Sequence, residues 1–257
     1  MARRILLATL LAGLLVPTAA PAVLSQQGDV VVSFDGDLAP ATLPRTDPAP
    51  ISIGVAGTVK SAKKGGDIPQ LQTISVAIND AGRLYDKGLP ICKVGSIQPA
   101  TESNARETCG ASIVGHGHVT VEAHVPTQPP FSVDATLLAF NGPVVHGHKE
   151  ILAQVYARSP PGAFVLPFRI SHHAGLFGTV MSTRLPQGTS SWAYLASFEM
   201  TLHRIYRYAG AERSFVSAAC SAPAGFPGAV FPFAKATYGF AGGRKMRATV
   251  VRSCKVR

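Results

Sequence analysis

Two short stretches hold residues that could bind a metal. GHGHVTVEAHV spans residues 115–125, and VVHGHKE follows at 144–150. Five of the eight histidines lie in them: His116, His118, His124, His146 and His148. On a strand, residues i and i+2 point the same way, about 6.6–7 Å apart. A meander of three strands would start both His-Gly-His pairs at one end of a sheet, about 10 Å apart. Four neutral imidazoles, His116, His118, His146 and His148, would suit Zn or Cu(II). Glu122 and Glu150 are placed to orient a ring from behind. The plainer reading competes. With 114–125 as a strand, Val114, His116, His118, Thr120, Glu122 and His124 share one face, and Gly117, Val119, Val121, Ala123 and Val125 the other. The apolar face is complete without any histidine, so no metal or other cofactor is expected and the imidazoles stand on the wet side. His172 and His173 fall in the turn SHHAG.

Other site chemistries lack their residues. No G-x-S-x-G elbow is present, and QGTSSW has no second glycine. No Walker loop, dinucleotide fingerprint or H-E-x-x-H helix occurs. FDGD offers Asp35 and Asp37, but a calcium loop needs more acidic positions and a closing Glu. After residue 154 the only acids are Glu199 and Glu212, too few for a paired glycosidase site within that half. A hydrolase with scattered residues stays as an alternative.

The positioning elements read as strands. Alternation of period two recurs near 29–34, 51–60, 71–79, 112–125, 132–140, 149–157, 163–171, 176–185, 192–208, 212–219, 233–240 and 245–252. In SWAYLASFEMTLHRIYRY, Trp192, Tyr194, Ala196, Phe198, Met200 and Leu202 fall on one side, opposite Ser197, Glu199, Thr201 and His203. NDAGR, FNGP, SHHAG, YAGAE and AGGRK supply turns. Residues 35–50 read as an extended lead-in across a sheet edge. One helix is expected in QPATESNARETCG, capped by Thr101 or Ser103 and stopped at Gly110. The pattern predicts one all-β domain over 23–257, a two-sheet antiparallel sandwich.

The N-terminus reads as a secretory signal. MARR is basic, Ile5–Val16 is uncharged and apolar, and Ala20 and Ala22 fit an A-x-A cleavage site. Cleavage after Ala22 is expected. No second apolar run reaches spanning length. Four cysteines in an exported chain read as two disulfides. Of three connectivities, Cys92–Cys109 and Cys220–Cys254 are favoured, since each encloses a local excursion.

Charge is uneven. Residues 23–154 hold 9 Lys/Arg against 12 Asp/Glu, a balance of −3. Residues 155–257 hold 13 against 2, a balance of +11. A field of one sign favours anionic partners. Outside a cell these are envelope polymers, acidic glycans, headgroups or free nucleic acid, with no specific nucleic acid indicated. Arg244, Lys245 and Arg247 are the nominated contacts.

Several stretches together carry a likeness: LPRTDPAPISIGVAGTV, GLPICKVGSIQPA, CGASIVGHG, LLAFNG, FVLPFRI, TLHRIYRY, CSAPAGFPGAVFPFAKATYGF and RSCKVR. Across most of residues 43–257 the chain resembles a family of exported bacterial proteins. The resemblance implies a secreted β-rich protein and carries over no site residue. The expected function is a non-catalytic binding or structural module. A Zn/Cu binder is the second expectation.

Overall fold

A computed structural model describes residues 22–63, 66, 68–124, 128–186 and 193–257. The segment read as a signal peptide lies outside the described residues except for Ala22, as does QGTSSW at 187–192.

The chain is all-β with a small helical insert. Its first half contributes β1 (Val23–Gln27), β2 (Val30–Ala39), β3 (Thr42–Leu43), β4 (Ala49–Pro50), β5 (Ser52–Ser61), β6 (Leu71–Ile78) and β7 (Gly82–Leu84). The helices α1 (Val94–Ile97) and α2 (Glu102–Cys109) follow, then β8 (Ile113–Ala123), β9 (Phe131–Val145) and β10 (His148–Arg158). The second half adds β11 (Pro161–His172), β12 (Thr179–Arg184), β13 (Ala193–Leu202), β14 (Ile205–Tyr208), β15 (Ala211–Ser214), β16 (Val216–Ala218), β17 (Gly228–Phe240) and β18 (Lys245–Val256).

Where two packed sheets were expected, thirteen strands form one ladder, in the order β1-β2-β5-β13-β8-β9-β10-β11-β12-β6-β17-β18-β3. Every pairing is antiparallel except β18 with β3. The sheet curls until β18 comes against β1 and β2. A small β4-β16-β7 sheet and a β14-β15 hairpin stand apart from it.

The curl has identifiable causes. Alternate residues of each strand face inward, among them Val30, Val32 and Phe34 of β2 and Met246, Ala248 and Val250 of β18, all buried. The Tyr238 hydroxyl on β17 donates to the Ser33 carbonyl of β2 at 2.8 Å. Arg252 of β18 pairs with Asp35 of β2. β1 covers β2 only as far as Phe34, so Asp35 lies past the covered edge. Gly57 lets the curl tighten: a Cβ there would meet the Phe198 ring at 2.6 Å and also the Tyr238 hydroxyl.

The outward face of the middle strands is not wet. Leu138, Phe140 and Leu152 pack under a disulfide-pinned excursion carrying Cys92, Ile97, Ala105 and Cys109. Buried Gln154 donates to the carbonyls of Ile97 (3.0 Å) and Ala100 (2.8 Å). Buried Asn141 donates to those of Leu89 and Pro90. α2 is capped as expected, with Thr101 Oγ1 accepting from the Asn104 N–H. α1 is an additional single turn. Cys92–Cys109 and Cys220–Cys254 are both formed.

Several boundaries differ from the sequence pattern. Residues 35–50 are not a lead-in, because β2 continues through FDGD to Ala39. FNGP is not a turn, because β9 runs on to Val145. The 192–208 run breaks after Leu202. Within β13 a register shift between Leu195 and Ser197 flips the expected faces. Tyr194 pairs with Glu122 on the outside, while Leu195 takes the inward place opposite Val121.

Candidate functional site

The two His-Gly-His pairs have unrelated structural causes. In β8, His116 and His118 are exposed, while Gly115, Gly117 and Val119 are buried. A Cβ on Gly115 would strike the Thr201 carbonyl oxygen, and one on Gly117 the Glu199 carbonyl oxygen. The glycines let the β13 backbone close on β8, and the histidines are the outward alternates. Val114 departs from the expected pattern and is fully buried, because the register shifts between Ile113 and Gly115. In the second pair, His146 (φ 49°) and Gly147 (φ 77°) are the central residues of a two-residue turn between β9 and β10. Positive φ at both central positions is what such a hairpin requires.

The register also separates the pairs. His116 lies opposite Leu138 on β9, whereas His148 lies opposite Val145. Seven residues of strand separate those levels, about 23 Å at 3.3 Å per residue. The convergence of His116, His118, His146 and His148 that the metal-binding alternative requires does not occur, since the β9–β10 turn extends well beyond the start of β8. Among the described residues, no three His, Cys, Asp or Glu side chains are grouped to hold a metal ion. Glu122 accepts from the Ser132 hydroxyl, and Glu150 is buried on β10.

On the outward face, the helical insert divides two fields of opposite charge. On one side, cross-strand register brings Asp35, Ala56, Glu199, His118 and Thr136 into one row. The adjacent row carries Asp37, Gly54, Thr201 and His116. Gly54 and Ala56 are the floor of a shallow trough, and a Cβ at Gly54 would collide with the Asp37 carboxylate. The sequence reading passed over this grouping because Asp35, Ala56, His118 and Glu199 are far apart in the chain. The only local signal is the alternation in FDGD. Asp35 is held by Arg252 and by the Gly36 N–H, and Glu199 stands exposed. A glycosidase acid is normally kept protonated by an apolar pocket, which this open trough does not supply.

On the other side the rows are cationic. Arg247, Thr237, Ser75, Ser182 and Arg169 line up across β18, β17, β6, β12 and β11. The next row runs Lys245, Gly239, Thr73, Arg184. One row the other way carries Thr249, Lys235, Ala77 and Val180. Arg169, Arg184, Lys245 and Arg247 are exposed, and Lys235 sits over the Phe177 ring at 4.8 Å. The ion pairs among described residues involve none of these five. The only acid in these rows is Glu150, buried next to Arg169 at the end of the first. Of the three nominated contacts, Lys245 and Arg247 lie on this field and Arg244 lies at the β17–β18 connection. Arg169, Arg184 and Lys235 were missed, because single cations in separate strands give no run of charge.

Comparison with protein-family models, with curated proteins and with solved structures finds no match. The site therefore rests on its own geometry. Two disulfides in one chain indicate an oxidising environment.

Proposed function

We propose that this is an exported, non-catalytic binding module of the extracellular space or cell envelope, related to the exported bacterial family its sequence resembles. Its working surface is the cationic face of β11, β12, β6, β17 and β18, and its partner is an anionic polymer. One observation carries the reading. Arg169, Arg184, Lys235, Lys245 and Arg247 share one face, with only Ser, Thr, Ala, Val and Gly between them in the rows. Such a field attracts polyanions, and the attraction weakens with salt because charges are screened and counterion release gains less. The signal-like N-terminus and the two disulfides support export. The curl, with β18 against β1 and β2, supports treating the large sheet as the two facing layers of a sandwich.

The test is retention on an anionic resin across a salt gradient. Retention should fall steeply with salt, and Arg244→Gln with Lys245→Gln and Arg247→Gln should elute the protein earlier. Unchanged elution of that triple variant would remove the β18 end of the field from the binding surface.

A further inference from the structure

The cationic field has an internal pattern that says more about its ligand, given the polyanion-binding reading above. The charges form two rails. Arg169 on β11 and Arg184 on β12 stand on one side. Lys235 on β17 and Lys245 and Arg247 on β18 stand on the other. Adjacent strands lie about 4.8 Å apart, so Arg184 and Lys245, three steps apart, are about 14 Å from each other along the sheet. Arg169 and Arg247, four steps apart, are about 19 Å from each other. Between the rails the floor is hydroxylic: Ser182 on β12, Thr73 and Ser75 on β6, and Thr237 on β17. The floor is also low, because Gly239 has no side chain and a Cβ there would strike the Thr73 hydroxyl.

We propose that this channel binds an acidic polysaccharide. The glycan lies along the strands, its acid groups reaching the rails and its sugar hydroxyls meeting the Ser/Thr floor. A hydroxyl both donates and accepts, so four of them on one floor match a polyol. Bare polyphosphate can accept from the floor hydroxyls but has no hydrogen to donate back, so it uses only half of what each hydroxyl offers. Single-stranded nucleic acid is held largely by stacking on aromatic side chains. The floor carries none, and the nearby Phe177 ring already has Lys235 over it.

The probes are polygalacturonate, polyphosphate and single-stranded DNA, compared by calorimetry on the mature chain at matched salt and matched charge. Polygalacturonate should bind at least tenfold tighter than the other two. Ser75→Ala with Thr237→Ala should weaken polygalacturonate about tenfold and polyphosphate about threefold at most. Each hydrogen bond contributes about 0.5–1.5 kcal/mol, and 1.4 kcal/mol is a tenfold change. Arg169→Gln with Arg247→Gln should weaken both polymers. These positions are on the outward face, and unchanged melting temperatures confirm intact variants; Ser182→Ala alone serves if the double change perturbs folding. Polyphosphate or DNA binding as tightly as polygalacturonate, or floor variants that leave polygalacturonate untouched, overturns the glycan inference and leaves polyanion binding standing. If no probe binds the mature chain, both readings fail together.

Discussion

The exposed imidazoles of His116 and His118 are a by-product of strand alternation, and it is the glycines beside them that the fold requires. β13 crosses so closely that a side chain at Gly117 would meet the backbone of Glu199, which cannot swing away as a flexible side chain would. Gly162 supplies the control, since a Cβ there meets nothing within 4 Å. Gly117→Ala should cost about 1–3 kcal/mol, as overpacking does, and Gly162→Ala should stay within about 0.5 kcal/mol. Urea unfolding of the two variants reads the difference. A Gly117→Ala protein as stable as the parent would mean that the two strands can part without cost. His116→Ala with His118→Ala should change stability by only a few tenths of a kcal/mol, because both rings stand exposed on the outward face.

At the scale of elements, the sequence made the strands visible and left their arrangement hidden. Alternation located the segments that became β5, β6, β8, β10, β11 and β18 to within a few residues, since a strand with one wet face writes its period directly. It misled at β13, where one extra residue near Ala196 moves Tyr194 outward, and no residue type marks that bulge. It gave no sign that the central residues of β9 and β10 are buried on both faces. The reason is the Cys92–Cys109 excursion, which lies over Leu138, Phe140 and Leu152. The cationic field was legible only at Lys245 and Arg247, which stand in a basic run; the rest of it and the whole acidic trough are assembled by register between strands distant in sequence. The excursion itself gives a prediction. Its disulfide closes a sequence separation of 17, and the loop-entropy model assigns such a closure about 3 kcal/mol. Cys92→Ala with Cys109→Ala should lose roughly that much in urea unfolding and should raise binding of an apolar dye as the second small core loosens. Gln154→Leu should act in the same direction, about 2 kcal/mol, by stripping the donors from the Ile97 and Ala100 carbonyls. Dye binding that stays at the parent level in both variants would show that the excursion keeps its seat without either tie.

For the whole molecule, the decisive feature is that one long sheet curls until strands near its two ends touch, so a few contacts between them hold the shape. Tyr238 is the clearest of them, buried on β17 with its hydroxyl on the Ser33 carbonyl of β2. Burial pushes its phenol pKa up, because the low-dielectric interior disfavours the phenolate. Tyr206 is pushed up to about 12, first by burial and then by the neighbouring Tyr85 and Asp86, while its hydroxyl donates to the Tyr85 and Lys87 carbonyls. Both folded values lie above that of an unfolded tyrosine, near 10. The unfolded chain therefore releases these protons first as pH rises, and the equilibrium shifts toward it. Stability from these groups is complete below about pH 10. The Tyr206 contribution is lost between there and its folded value near 12, and the Tyr238 contribution continues to fall above that. Tyr238→Phe should cost about 1 kcal/mol at neutral pH for the missing hydrogen bond. It should also flatten the alkaline loss, since phenylalanine does not titrate. Urea unfolding at pH 7 and at steps above pH 10, on the parent, Tyr238→Phe and Tyr206→Phe, separates the two tyrosines. If the parent and Tyr238→Phe lose stability along the same alkaline curve, the Tyr238–Ser33 contact is not what holds the two ends of the sheet together, and the burden passes to Arg252 and Asp35.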